Sequence, residues 1–133
     1  MARILVVDDE VEIRSAIRRA LERDGHDVTL AVDGLDGARA VRSFEVDLAL
    51  IDIHMPEMDG IELLVNFKAV APAMPVIVVS GGDQSLRLDL LNDARLLGAT
   101  GILAKPFTLD ELREVVRRGL AGRGDSPERR DSQ

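Results

Sequence analysis

The chain has 133 residues, enough for a single domain with one core, and it contains no cysteine, which excludes thiol catalysis, cysteine-ligated zinc and iron–sulfur clusters. Its formal net charge of -7, from 17 basic and 24 acidic residues, disfavours sequence-independent binding to nucleic acid or to an anionic membrane, and an aromatic content of 2% leaves no platform for base stacking. No segment approaches the roughly 20 apolar residues that span a bilayer, and the N-terminus lacks the plan of a signal peptide, so we expect a cytoplasmic protein without a membrane partner.

Short apolar runs alternate with helical patterns from one end of the chain to the other. The runs are rich in Val, Ile and Leu and are bounded by polar or turn-forming residues, as strands are. Nearly continuous apolar strands are typical of a parallel sheet that is covered by helices on both faces. Five strands are predicted, at Ile4–Val7, Val28–Val32, Leu48–Ile51, Val76–Val79 and Ile102–Ala104.

The segments between the strands carry the apolar spacing of amphipathic helices. In the first segment, apolar residues recur on one face from Ile13 to Leu21, and Gly25 follows as a helix stop. The other predicted helices are Leu35–Ser43, Gly60–Val70, Gln84–Leu97 and Leu109–Leu120, and the predicted N-caps are Asp59, Asp83 and Thr108.

This alternation of five strands and five helices predicts a single α/β domain with a parallel sheet and right-handed crossover connections. The domain is predicted to cover residues 1–121. Residues 122–133 offer no apolar side chain that could dock on a core, so they are predicted to form a disordered tail.

Three carboxylates follow two of the predicted strands. Asp8 and Asp9 come directly after the first strand, and Asp52 comes directly after the third. All strands of a parallel sheet finish at one edge, so these groups converge there if the two strands are neighbours. Taken alone, Asp8 and Asp9 fit helix caps equally well, but carboxylates that converge need a cation, and Mg²⁺ prefers such oxygen ligands.

Two further polar residues stand at strand ends. Ser80 closes the fourth strand, and Lys105 closes the fifth. Together with the carboxylates they suit phosphoryl transfer: Asp52 is the candidate nucleophile, while Lys105 and the Ser80 hydroxyl would contact the phosphoryl oxygens. Catalysis of this kind depends on positioning and on charge stabilisation.

These residues occur in four short motifs: Asp8-Asp9, Asp52 within residues 52–60, Ser80-Gly81 and Lys105-Pro106-Phe107. As a set, at this spacing and on these strands, the motifs resemble the receiver domain of two-component response regulators, of the stand-alone type. The resemblance runs from Ala2 to about Leu120. It implies a flavodoxin-like doubly wound sheet with the strand order 2-1-3-4-5.

The resemblance also implies a chemistry. Asp52 is expected to accept a phosphoryl group from a histidine kinase or a histidine phosphotransfer protein, with Mg²⁺ as the cofactor and Mn²⁺ as a substitute. The implied metal ligands are Asp8, Asp9, Asp52 and the backbone carbonyl of His54. The Lys105–Pro106 bond is expected to be cis, a choice that proline makes inexpensive. Such a domain catalyses its own phosphorylation and dephosphorylation but is not a turnover enzyme.

Two positions bear on switching in this family. Receiver domains often carry Tyr or Phe three residues before the lysine, where ring rotation accompanies movement of the strand-four hydroxyl, but this chain has Ile102 there. The aromatic half of the switch is therefore absent, and Ser80 carries the other half. Gly82 adds no side chain that could shield the phosphoryl group from water, so we expect a short-lived phosphoryl state.

The expected partners are proteins. The family binds targets through the face formed by helix four, strand five and helix five, and from the residues after 120 we expect no DNA-binding output segment. We therefore expect a monomer or weak dimer that acts either as a switch on a protein target or as a relay that passes its phosphoryl group to a histidine.

Two other functions compete with this interpretation. One is a small aspartate-nucleophile phosphatase of the haloacid-dehalogenase type, which also uses Asp, Ser or Thr, Lys and Mg²⁺. Its nucleophile follows the first strand in an Asp-x-Asp pattern, whereas Asp52 follows the third and Asp52-Ile53-His54 lacks the second acid. The other is a binding module that works without phosphorylation, for which an Asp52→Asn variant would keep full activity in cells.

Overall fold

The computed structural model describes residues 2–53, 60–81 and 92–124, with the side chains of residues 123 and 124 excepted. Its five strands form one parallel sheet in the order β2-β1-β3-β4-β5, as predicted. The strands end within one residue of the predicted bounds. They are β1 Arg3–Val7, β2 Asp27–Ala31, β3 Leu48–Asp52, β4 Val76–Ser80 and β5 Gly101–Ala104.

Helices connect the strands. They are α1 Val11–Arg23, α2 Gly34–Ser43, α3 Gly60–Val70 and α5 Leu109–Gly124, with residues 92–96 forming a short helical segment, α4, between β4 and β5. The predicted N-caps Asp59 and Asp83 and most of the predicted helix Gln84–Leu97 lie outside the described residues. The last helix continues to Gly124, past the predicted start of the tail at residue 122.

Helix ends follow local rules that the sequence carries. Gly25 has a φ of 92°, and the amide of His26 donates to the carbonyl of Leu21, which closes α1 in the Schellman pattern. At the start of α5, the Glu111 amide donates to the Thr108 hydroxyl over 3.0 Å, and the Thr108 amide donates to the Glu111 carboxylate over 2.9 Å. This reciprocal pair is a capping box, so the prediction of Thr108 as an N-cap is confirmed.

The core lies on both faces of the sheet. Successive residues of a strand point to opposite faces, so Leu5 and Val7 pack with Phe67 of α3, whereas Ile4 and Val6 pack with α1 and α5 on the other side. All residues of β3 and β4 are buried, as expected for central parallel strands. Within the described part of the chain, no helix combines the length and the apolar character needed to cross a membrane.

One glycine sets how closely a helix approaches the sheet edge. A Cβ atom on Gly60, the first residue of α3, would lie 2.3 Å from the Cα atom of Ile53 and 2.7 Å from the carbonyl oxygen of Asp52. The Gly60 amide donates to the Ile53 carbonyl over 3.1 Å. Only glycine therefore lets α3 begin against the end of β3, next to the polar edge of the sheet.

Candidate functional site

The sheet register brings the polar strand ends to one edge. Val7 pairs with Ile51, so Asp8 and Asp52, the next residues along the chain, lie at the ends of neighbouring strands. Ser80 pairs with Ala104, which places Lys105 at the end of β5 beside it. The Asp8 amide extends the ladder by donating to the Ala31 carbonyl over 3.2 Å. This edge is the carboxyl end of the sheet, where open α/β sheets bind their ligands.

Three carboxylates lie close together at this edge. Asp8, Glu10 and Asp52 each offer an oxygen, and these oxygens all lie within 4.8 Å of one another. Asp8 and Asp52 are buried, with only 2% and 3% of their surface exposed, whereas Glu10 is exposed. Like charges this close repel unless a cation lies between them, so the group is suited to hold a hard cation by carboxylate oxygens.

Lys105 supplies a cation from within the chain. Its Nζ atom lies 2.8 Å from Oε1 of Glu10 and 3.3 Å from Oδ2 of both Asp8 and Asp52. Burial lowers the pKa of Lys105, but the hydrogen bond to Glu10 and the charges of the three carboxylates outweigh it, so the net pKa is raised above its ordinary value. The ammonium group therefore stays charged and partly neutralises the acidic group.

Asp8 accepts hydrogen bonds from residues that follow it in the chain. Its Oδ1 atom accepts a hydrogen bond from the Glu10 amide over 2.9 Å, and its carbonyl accepts one from Nη1 of Arg14 over 2.7 Å. Burial and the charge of Asp52 raise the pKa of Asp8, and the Glu10 amide and Lys105 oppose that rise only in part. Asp8 is therefore harder to ionise than a carboxyl group that is exposed to water.

The hydroxyl of Ser80 is poised at the same edge. Ser80 is fully buried, and its Oγ atom has no hydrogen-bond partner among the described residues. A buried polar atom without a partner is costly, so such atoms often mark a place where a ligand binds. The next residue, Gly81, lies against the aliphatic stem of Lys105, and a Cβ there would be 3.3 Å from that of the lysine.

A groove of about 530 Å³ opens beside the carboxylates and gives access to them. Its polar lining residues are Asp52, Glu10 and Lys105. The rest of the lining is mostly apolar and comes from α1, from the residue after β4 and from the segment that leads into α5: Ile13, Ala16, Gly81, Pro106, Phe107 and Leu109.

The structure brings together most of the residues that the sequence singled out. Asp8, Asp52 and Lys105 are in mutual contact range, and Ser80 and Gly81 adjoin them. The Lys105–Pro106 peptide bond is cis. Ile102 is half-buried in β5, where it pairs with Val78. His54 and Gly82 lie outside the described residues.

The third carboxylate of the group is not the one expected from the sequence, which was Asp9. Asp9 is exposed and is not part of the close carboxylate group, whereas Glu10, which the sequence patterns did not indicate, is part of it. Glu10 lies beyond the end of β1, where strand pairing no longer fixes the direction of a side chain, so no local pattern pointed to it.

Comparison with known proteins agrees with this arrangement. Residues 4–117 match the family model described as the response regulator receiver domain. The chain is 34% identical over 118 residues to sporulation initiation phosphotransferase F of Bacillus subtilis, an alignment that covers 89% of this chain and 93% of that protein.

Two solved structures are similar in fold. A CheY-like response regulator receiver domain protein from Methanospirillum hungatei JF-1 superposes with a TM-score of 0.86 at 30% identity and covers 92% of this chain and 96% of that one. NtrX from Brucella abortus superposes with a TM-score of 0.90 at 32% identity over 99% of this chain, which corresponds to 29% of the NtrX chain.

Proposed function

Because the chain belongs to the family of response regulator receiver domains, we propose that Asp52 accepts a phosphoryl group from the phosphohistidine of a histidine kinase or of a histidine phosphotransfer protein. Membership of this family makes the chain a signalling domain rather than a turnover enzyme. The observation that carries the proposal is the place of Asp52: a buried carboxylate 3.3 Å from a lysine ammonium at the ligand-binding edge of the sheet.

In the proposed reaction, a carboxylate oxygen of Asp52 attacks phosphorus in line with the imidazole nitrogen of the donor. The new O–P bond forms as the N–P bond breaks, and the imidazole leaves with the bonding pair and then takes up a proton from solvent. Negative charge on the transferred group needs fixed donors. Lys105 supplies a charge, and the Ser80 hydroxyl, whose Oγ atom has no partner in the described part of the chain, supplies a hydrogen bond.

A divalent cation fits the carboxylate group. Asp8 and Asp52 would hold Mg²⁺, which would lower the repulsion between the nucleophile and the phosphoryl oxygens. The fit rests on the short separation of the carboxylate oxygens, whose mutual repulsion a cation would relieve and whose effect is to raise the pKa of Asp8. Contributions from Asp9 and from the His54 carbonyl stay predictions from the resemblance.

The donor must reach Asp52 from solvent, and the groove beside the carboxylates offers a path. Its apolar lining from α1 and Phe107 suits packing against a partner helix, and Asp52 is one of its polar lining residues. Onward transfer to a second histidine is a variant of the same chemistry. The name of the Bacillus relative, a phosphotransferase, makes that relay worth testing beside a switch on a protein target.

Incubation with acetyl phosphate and Mg²⁺ tests the proposal, with intact mass spectrometry as the measurement. We expect one phosphoryl group per chain, with no labelling when Mg²⁺ is chelated before acetyl phosphate is added and none in Asp52→Asn. Asp110→Asn is the matched control, because Asp110 has the same side chain, 97% exposed, at a distance from the site. Labelling that persists in Asp52→Asn, or catalytic release of phosphate from generic esters, would contradict the proposal.

A further inference from the structure

Glu10 makes the shortest contact of the Lys105 ammonium. The distance from Nζ of Lys105 to Oε1 of Glu10 is 2.8 Å, against 3.3 Å to each of the two buried aspartates. The Glu10 side chain is 59% exposed, whereas the Lys105 side chain is only 16% exposed. The carboxylate therefore reaches inward from the surface to a largely buried cation.

Helix geometry does not explain this contact. Glu10 is the N-cap residue of α1, but within the described part of the chain its side chain makes no capping hydrogen bond. The first turn of the same helix already has an acidic residue, Glu12, which is exposed and complements the helix dipole. The side chain of Glu10 is thus directed at Lys105 and not at the helix end.

The Lys105 ammonium has two tasks that exclude each other. In the resting site it lies among three carboxylates, and in the proposed reaction it must contact a phosphoryl oxygen on Asp52. One ammonium group cannot make its best contacts with the resting carboxylates and with a phosphoryl oxygen at the same time. A carboxylate that holds the ammonium group in the resting site therefore competes with the incoming phosphoryl group. Of its three resting partners, only Glu10 is absent from the proposed chemistry of phosphoryl transfer.

We propose that Glu10 is a positioning residue that holds the Lys105 ammonium in the resting site and competes with the phosphoryl group for it. This inference rests on the proposed function, because it assigns Glu10 a part in the same reaction. Replacing the carboxylate by an amide of the same shape removes the charge and keeps the size. Lys105 would then be less restrained at rest and more readily available to the phosphoryl group.

The resting contact can be measured without any phosphoryl donor. The chain has only two lysines, Lys68 and Lys105, so selective lysine labelling gives two ammonium groups to resolve by NMR. Lys68 serves as the internal reference, since its Nζ atom donates to the Met74 carbonyl over 2.8 Å at a different place. In Glu10→Gln we expect the order parameter of the Lys105 ammonium to fall and that of Lys68 to stay constant.

The competition is measured by the rate of Asp52 labelling from acetyl phosphate at saturating Mg²⁺. The matched control is Glu12→Gln, which makes the same change of charge at the same end of α1. Relative to that control we expect Glu10→Gln to be labelled about 1.4- to 5-fold faster, the range that corresponds to the strength of an ion pair with one exposed partner.

Each other outcome overturns the inference. An unchanged Lys105 order parameter would show that Glu10 does not restrain the lysine, and a labelling rate equal to that of Glu12→Gln would show that the contact does not compete. Slower labelling together with weaker Mg²⁺ binding would make Glu10 a metal ligand instead. A wild-type chain that accepts no phosphoryl group would contradict both the proposed function and the competition for Lys105. The order parameter of the Lys105 ammonium would still show whether Glu10 restrains it at rest.

Discussion

Asp8→Asn should stabilise the protein at neutral pH when divalent cations are chelated. Asp8 lies within 4.8 Å of two carboxylates, and each unit charge at that distance costs about 3.5 kcal/mol at an effective dielectric constant of about 20. The Lys105 ammonium, 3.3 Å away, returns about 5 kcal/mol on the same scale. Two repulsions exceed one attraction by about 2 kcal/mol, and the exposure of Glu10 reduces that excess, so we expect a gain of about 1 to 2 kcal/mol.

The pH dependence follows from the raised pKa of Asp8. The folded chain binds the Asp8 proton more tightly than the unfolded chain does, whose carboxyl has a pKa of about 3.9. The stabilising contribution of that proton is complete below the unfolded pKa and is lost as the pH rises through the folded pKa. The advantage of Asp8→Asn over wild type should therefore be small in acid and grow toward neutral pH.

Urea unfolding followed by far-ultraviolet circular dichroism measures this difference, since the chain has neither Trp nor Tyr for fluorescence. Asp110→Asn is again the control and should leave the free energy of unfolding within about 0.5 kcal/mol of wild type. Adding Mg²⁺ should stabilise wild type more than Asp8→Asn. The difference in free energy of unfolding between the two proteins should therefore shrink or change sign. An Asp8→Asn chain that is less stable than wild type at neutral pH in chelator would refute this account of the site.

Three further variants test single contacts. Lys105→Ala should bind Mg²⁺ at least as tightly as wild type in calorimetry, because the ammonium group and the metal ion compete for the same carboxylates. Labelling of Asp52 should slow by at least about ten-fold. Labelling at the wild-type rate would remove Lys105 from the mechanism. Ser80→Ala should not lower the free energy of unfolding in urea, since the buried Oγ atom lacks a partner among the described residues and its removal ends that cost. Labelling should slow by about 10- to 100-fold, and equal rates would argue against the role of Ser80. Gly60→Ala should lower the free energy of unfolding by at least about 2 kcal/mol, because the added Cβ atom would meet Ile53. Gly122→Ala, which has open space around it, should raise the free energy of unfolding by about 0.5 to 1 kcal/mol. Similar values for the two variants would contradict the close approach of α3 to β3.

Much of the fold was predictable because its signals are local. The strands, the stop at Gly25 and the cap at Thr108 depend on residues within a few positions of each other, and the structure confirms all of them. The strand order 2-1-3-4-5 is not local. It came from the resemblance, which rests on the spacing of the strand-end motifs, and it is confirmed as well.

The site was predictable only in part. Asp8, Asp52, Ser80 and Lys105 each follow or close a strand, and a parallel sheet brings such positions to one edge whatever the connecting loops do. The residue that stands nearest to the lysine, Glu10, lies beyond the strand, where no ladder fixes direction.

The sequence by itself therefore determined which side chains arrive at the edge of the sheet, because apolar strand patterns and parallel pairing constrain every residue up to the last rung of the ladder. Tertiary structure alone decided how those side chains meet: that Glu10 and not Asp9 joins the buried aspartates, that one ammonium contacts three carboxylates, and that the Ser80 hydroxyl is left without a partner in the described residues. The reason is that charges separated by 53 and 95 positions in the chain interact over a few ångströms, and their energies depend on loop conformation and burial that no local pattern encodes.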